Sequence, residues 1–108
     1  MGLIRAEAGE ATRLLLPESE LAEAKTTCLV KTDNFEAMRM CVHANQEIPP
    51  HKTEGPLTVQ CLQGNVIFKV GEITNDLKPG DWLYLEGGQM HSLKGVKDSA
   101  LLLTILFS

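Results

Sequence analysis

The residues of this chain best suited to chemistry near neutral pH are its histidines, His43, His51 and His91. A neutral imidazole ligates divalent ions, and its proton exchanges in the physiological range. Two imidazoles make a weak metal site, because catalytic ions keep at least three protein ligands and an open position. Metal-free proton transfer asks for a carboxylate to orient the ring and an acid opposite it. His43 closes an apolar segment and is expected to be a solvated loop residue. Cys28, Cys41 and Cys61 are odd in number, widely spaced and free of any C-x-x-C pattern, which suggests reduced, buried thiols rather than a disulfide framework or a zinc site. Asp81 lies in the turn Pro79-Gly80-Asp81, where a carboxylate bonds nearby backbone amides. Trp82 is expected to pack, and Tyr84 to be a strand residue with a wet hydroxyl.

The elements that must position these groups are short. Turn signals recur at Asp33-Asn34, Pro49-Pro50, Glu54-Gly55-Pro56, Gln63-Gly64-Asn65, Asn75-Asp76, Pro79-Gly80-Asp81 and Gly87-Gly88. Between them the segments Thr26 to Lys31, Phe35 to His43, Leu57 to Leu62, Val66 to Val70, Trp82 to Leu85 and Leu101 to Phe107 are rich in β-branched, aliphatic and aromatic residues. Closely spaced strands with tight turns indicate an all-β sandwich or barrel. In Leu57 to Leu62 the apolar set Leu57, Val59 and Cys61 alternates with Thr58 and Gln60, so the odd positions face the interior. Leu101 to Phe107 is apolar on both faces and needs cover on both, from the barrel on one side and another element or a second subunit on the other. A homodimer is expected on that ground. One helix is expected, Glu18 to Lys25, with Ser19 as its N-cap and Glu18, Glu20 and Glu23 on a solvated face. Met38, Met40 and Met90 are expected to fill core or pocket.

Composition limits the function. The chain has 108 residues, 44% of them hydrophobic, and a net charge of -4, an ordinary balance for one domain. No Lys/Arg cluster suits it to nucleic acid. The start carries Arg5, Glu7 and Glu10 with no apolar leader, and the longest apolar run, from Ala100, is far short of a membrane span. The expectation is a soluble, cytoplasmic protein with no membrane or nucleic-acid partner.

Two stretches carry a family resemblance. Ile48-Pro49-Pro50-His51-Lys52-Thr53-Glu54-Gly55-Pro56-Leu57, continuing to Gly64, and Leu77 through Pro79-Gly80-Asp81 to Gly87-Gly88-Gln89-Met90-His91 resemble the paired motifs of the cupin superfamily in its small, single-domain, RmlC-like form. His51 and Gly64 match the first motif; Gly80, Gly88 and His91 match the second. Thr53 stands where that family has a second His, Leu57 where it has a Glu, and Glu86 where it usually has a Pro. His-Lys-Thr-x-Gly-Pro is also similar to a subgroup of short bacterial cupins without an established activity, in which Thr53 would be the norm.

The resemblance implies an all-β, double-stranded β-helix (jelly-roll) barrel over residues 26–108, preceded by a short helical or irregular N-terminal segment, residues 1–25. It implies that His51 and His91, each near the start of a strand, meet at the barrel mouth with Thr53 one strand period from His51, while Leu57, Val59 and Cys61 form an apolar wall. Family enzymes hold a divalent ion (Fe, Mn, Ni or Zn) with three His and one Glu; this chain offers His51 and His91, with Gln89 or Cys61 as substitute donors. Cys61 lies about 13 Å along a strand from Leu57, deeper than the ligand ring. The leading expectation is therefore a barrel that binds a small molecule at a mouth lined by two His, with an incomplete metal site. The alternatives are a metal-dependent dioxygenase or isomerase using His51, His91 and an unidentified ligand, and metal-free proton transfer with His51 as base.

Overall fold

The computed structural model describes residues 6–107. Seven strands, β1 (Thr27–Lys31), β2 (Phe35–Val42), β3 (Glu47–His51), β4 (Leu57–Val70), β5 (Ile73–Leu77), β6 (Trp82–Leu85) and β7 (His91–Leu106), follow a 3-10 helix at Glu18–Glu23. All pairings are antiparallel. The long strands β4 and β7 each serve two leaves. The first half of β4 and the second half of β7 lie with β6, β2 and β1; the second half of β4 and the first half of β7 lie with β5 and β3. The leaves fold face to face over one core containing Leu57, Val59, Cys61, Leu85, Leu101 and Leu103 from one and Val66, Phe68, Leu77 and Leu93 from the other. This is an all-β barrel, as the spacing of the turns predicts, in the jelly-roll form that the family resemblance implies.

The bend between leaves lies where the β4–β7 register slips, between Cys61 and Val66. Gly64 has φ 87° there, and a Cβ on it would run into Ser99 and the Asp98 carbonyl. Buried Ser99 locks the bend, its Oγ accepting the Asn65 N–H at 2.9 Å and donating to the Lys97 carbonyl at 2.6 Å. Asp98 Oδ1 accepts the Ala44 N–H at 3.0 Å and stands 3.8 Å from His43 Nδ1, so His43 belongs to this corner, partly exposed as expected.

Several expectations are corrected. Leu57 to Leu62 and Val66 to Val70 are one strand, since Gly64 bends the chain without ending the ladder. Strands β3 and β5 were not anticipated: β3 contains Pro49-Pro50, and β5 is a polar hairpin return with only Leu77 buried. The helix of Glu18 to Lys25 is a single 3-10 stretch capped by Pro17 without a side-chain hydrogen bond, and Ser19 lies inside it. Only Leu21 of it is buried, too little apolar anchorage to sustain an α-helix. Trp82 does not pack but is 60% exposed, because its face of β6 has no cover among the described residues.

The N-terminal segment straps the outer face of the first leaf. Gln63 holds Leu16 at both ends, its Oε1 accepting the Leu16 N–H at 2.9 Å and its Nε2 donating to the Leu16 carbonyl at 2.7 Å. Arg39, buried beneath the strap, donates from Nη1 to the Leu14 carbonyl at 3.1 Å, while its Nε has no partner among the described residues. The outer side of β7 is thus covered in part by its own chain.

Candidate functional site

The end of the barrel away from the Gly64 corner is crossed by two loops, 52–56 between β3 and β4 and 86–90 between β6 and β7. They are tied by the Gly88 N–H donating to the Thr53 carbonyl at 2.8 Å. Gly87 presses on the Glu54 carbonyl so closely that a Cβ would overlap it. Beneath these loops β3 ends at His51 and β7 begins at His91, directly paired in the ladder. His51 therefore closes a strand rather than opening one, because the Pro49-Pro50 segment before it is extended edge strand.

The two imidazoles touch, with centroids 4.2 Å apart and planes at 61°. His91 is buried, 4% exposed, and lies flat on Phe68 at 5.6 Å and 11°. His51 is exposed and forms the outer half of the pair. Each ring is pinned through Nδ1 to a carbonyl two residues earlier, His51 to Pro49 at 3.0 Å and His91 to Gln89 at 3.0 Å. A carbonyl only accepts, so Nδ1 carries the proton in the neutral ring and Nε2 keeps its lone pair. Burial lowers the His91 pKa, partly opposed by the Gln89 carbonyl and reinforced by the neighbouring His51. The inner ring is held neutral.

The structure brings His51 and His91 together and distributes the other expected site residues. Thr53 lies in the loop rather than on a strand, its hydroxyl donating to the Gly55 carbonyl at 2.9 Å. It lines a cleft of ≈ 360 Å³ with Glu54, Gly55, Ile105 and Phe107, whereas His91 borders a smaller one of ≈ 150 Å³ with Pro50, Lys69, Gly71, Met90 and Ser92. Leu57, Val59 and Cys61 are 2%, 0% and 0% exposed and form the floor of the barrel. The Cys61 thiol donates to the Gln63 carbonyl at 3.6 Å, and burial, with the Asp81 charge, pushes its pKa up. Gln89 serves His91 through its main-chain carbonyl, while its Oε1 accepts the Glu86 N–H at 2.8 Å. Asp81 accepts the Lys78 N–H at 2.9 Å, as expected of its turn. Phe68, the support of His91, was not anticipated; its alternation with Val66 was the available signal.

Among the described residues no three His, Cys, Asp or Glu side chains converge as metal ligands. The donor set at the pair is two imidazoles, which does not fit a catalytic ion.

No family model matches the sequence, and no curated protein matches it. Solved structures do. A cupin superfamily protein from Desulfitobacterium hafniense DCB-2 superposes with a TM-score of 0.76 at 20% identity, over 86% of this chain and 90% of that one. The fold is that of a cupin. An RmlC-like cupin from Desulfovibrio desulfuricans is similar at 24% identity and a TM-score of 0.68, over 94% and 93% of the two chains. A conserved protein of unknown function from Streptococcus pyogenes matches all of this chain and 96% of its own at 19% identity, with a TM-score of 0.79. Its match extends over the N-terminal segment. No helix among the described residues is long and apolar enough to cross a membrane.

Proposed function

We propose that this cupin-fold protein binds a small molecule at the His51–His91 pair, with the two Nε2 atoms as hydrogen-bond acceptors for a hydroxyl or amino group. The observation that carries this reading is the matched pinning of both rings through Nδ1 to Pro49 and Gln89. Rings so fixed need no reorganisation to receive a donor. The neutral, buried His91 supplies an acceptor that burial protects from protonation, and exposed His51 makes the first contact. Val70, opposite His91 in the β4–β7 ladder and only partly buried, gives a ligand apolar surface beside the polar pair, the usual make-up of such a site.

The test is ligand-observed NMR with the full chain against a panel of hydroxylated and amino-substituted metabolites, repeated with His51→Phe. Hits that vanish in the variant while its fold is retained support the reading; hits indifferent to His51 overturn it. Among the described residues the metal-dependent alternative has no third His, Cys, Asp or Glu donor at the pair.

A further inference from the structure

We propose a second ligand site on the outward face of β3, β7 and β4, for a small carboxylate with an apolar body. It arises from a defect in the ladder. The β3–β7 register runs from Ile48 opposite Leu93 to His51 opposite His91, so Pro49 and Pro50 together face Ser92. Neither proline has an N–H to continue the pairing, and the bulge leaves a groove of ≈ 220 Å³ on the outer surface.

Pro49, Pro50 and Ile67 supply the apolar part of its lining; Lys69, Ser92 and Lys94 supply most of the polar part, with Glu47 beside Lys94. Lys69 stands opposite Ser92 in the β4–β7 register and Lys94 opposite Ile67, so on one sheet face the two lysine stems flank the serine. Ion pairs among the described residues join only His43 to Asp98 and Lys78 to Asp76. Neither groove lysine is held in an ion pair, and the lysines outnumber the one carboxylate of the lining, Glu47, which stands opposite Lys94 in the β3–β7 register. Two cations and a hydroxyl beside an apolar floor complement one anionic head joined to a hydrophobic body. The volume lies below the ~300–1,000 Å³ of sites for drug-sized ligands, which favours a small monocarboxylate over a longer chain. Glu47 in the lining leaves a net charge of one positive unit, which disfavours a dianion such as phosphate. The site does not depend on the reading of the His pair, but it abuts it, because the Pro49 carbonyl that pins His51 belongs to the same bulge.

The probes are sodium benzoate, benzamide and sodium acetate, titrated into uniformly 15N-labelled full-length protein at constant ionic strength. The amides of Lys69, Ser92 and Lys94 are expected to move with benzoate. Benzamide, which keeps the body without the charge, and acetate, which keeps the charge without the body, are expected to bind at least about tenfold more weakly. Lys69→Met with Lys94→Met is expected to abolish the benzoate shifts; both side chains are exposed, and retained spectral dispersion verifies the fold. Should that double variant misfold, Lys94→Glu alone is expected to weaken benzoate by a similar factor. Benzamide binding equal to benzoate, unchanged binding in the variants, or shifts centred on Thr53 and Phe107 would overturn the site. So would movement of the same amides on simple dilution, which would make the groove a contact between two copies of the chain.

Discussion

His91 lies parallel to Phe68, ring on ring at 5.6 Å, with almost no surface left to water. Burial in this position lowers the His91 pKa, so the unfolded chain takes up a proton that the folded chain refuses. Bound protons in the unfolded state then exceed those in the native state, and stability rises with pH. As pH falls through the ordinary histidine value near 6.5, stability should decline, by no more than about 1.4 kcal/mol per pH unit from this group. The decline should cease below the lowered native pKa. Urea midpoints across this range check it: His91→Phe should flatten the slope, and an unchanged slope would refute the assignment.

Gly87 has no room for a side chain against the Glu54 carbonyl. Gly87→Ala must displace backbone, not a flexible side chain, and is expected to cost ~1–3 kcal/mol. Because the displaced loops adjoin His51 and His91 in the chain, the variant should also broaden or shift the His51 and His91 ring resonances. Thermal unfolding with NMR of the rings tests both parts.

Arg39 presents the reverse situation, a buried cation with an orphan Nε and no carboxylate paired to it among the described residues. Exchange of such a charge for an apolar side chain of similar length is commonly neutral or stabilising. Arg39→Met is expected to lie within ~1 kcal/mol of the parent, whereas Arg39→Ala, which also removes the packed stem, should lose ~2–3 kcal/mol. A methionine variant as damaged as the alanine one would show that the guanidinium itself holds the strap.

A two-imidazole site without a carboxylate should hold zinc far less tightly than the ~10–16 kcal/mol of complete structural sites. Calorimetry is expected to show weak zinc binding that His51→Ala removes. Stoichiometric metal in freshly purified protein, found by elemental analysis, would contradict this and bring the metal-dependent reading forward.

The sequence made the barrel legible because its turns are dense and its first-leaf strands alternate strongly, as in Leu57, Val59 and Cys61. Strand β3 was hidden by its two prolines, which an edge strand tolerates, and β5 by Ile73, which is 64% exposed. The histidine pair was readable from two motifs, but its chemistry was not. The pinning carbonyls of Pro49 and Gln89 are main-chain groups that no residue type announces. The contact with Phe68 depends on the β4–β7 register within one leaf, which the periodicity of a single strand does not reveal. Thr53 was misplaced by assuming that the strand continues past His51, whereas loop 52–56 turns its hydroxyl onto Gly55.

Strands β4 and β7 are common property of both leaves, and this governs how the molecule comes apart. Neither leaf can melt while the other survives, since each would lose half of its central pair. Denaturation should be a single all-or-none event, and refolding slow for so small a chain, because the pairing of β4 with β7 must close distant segments before any stable half exists.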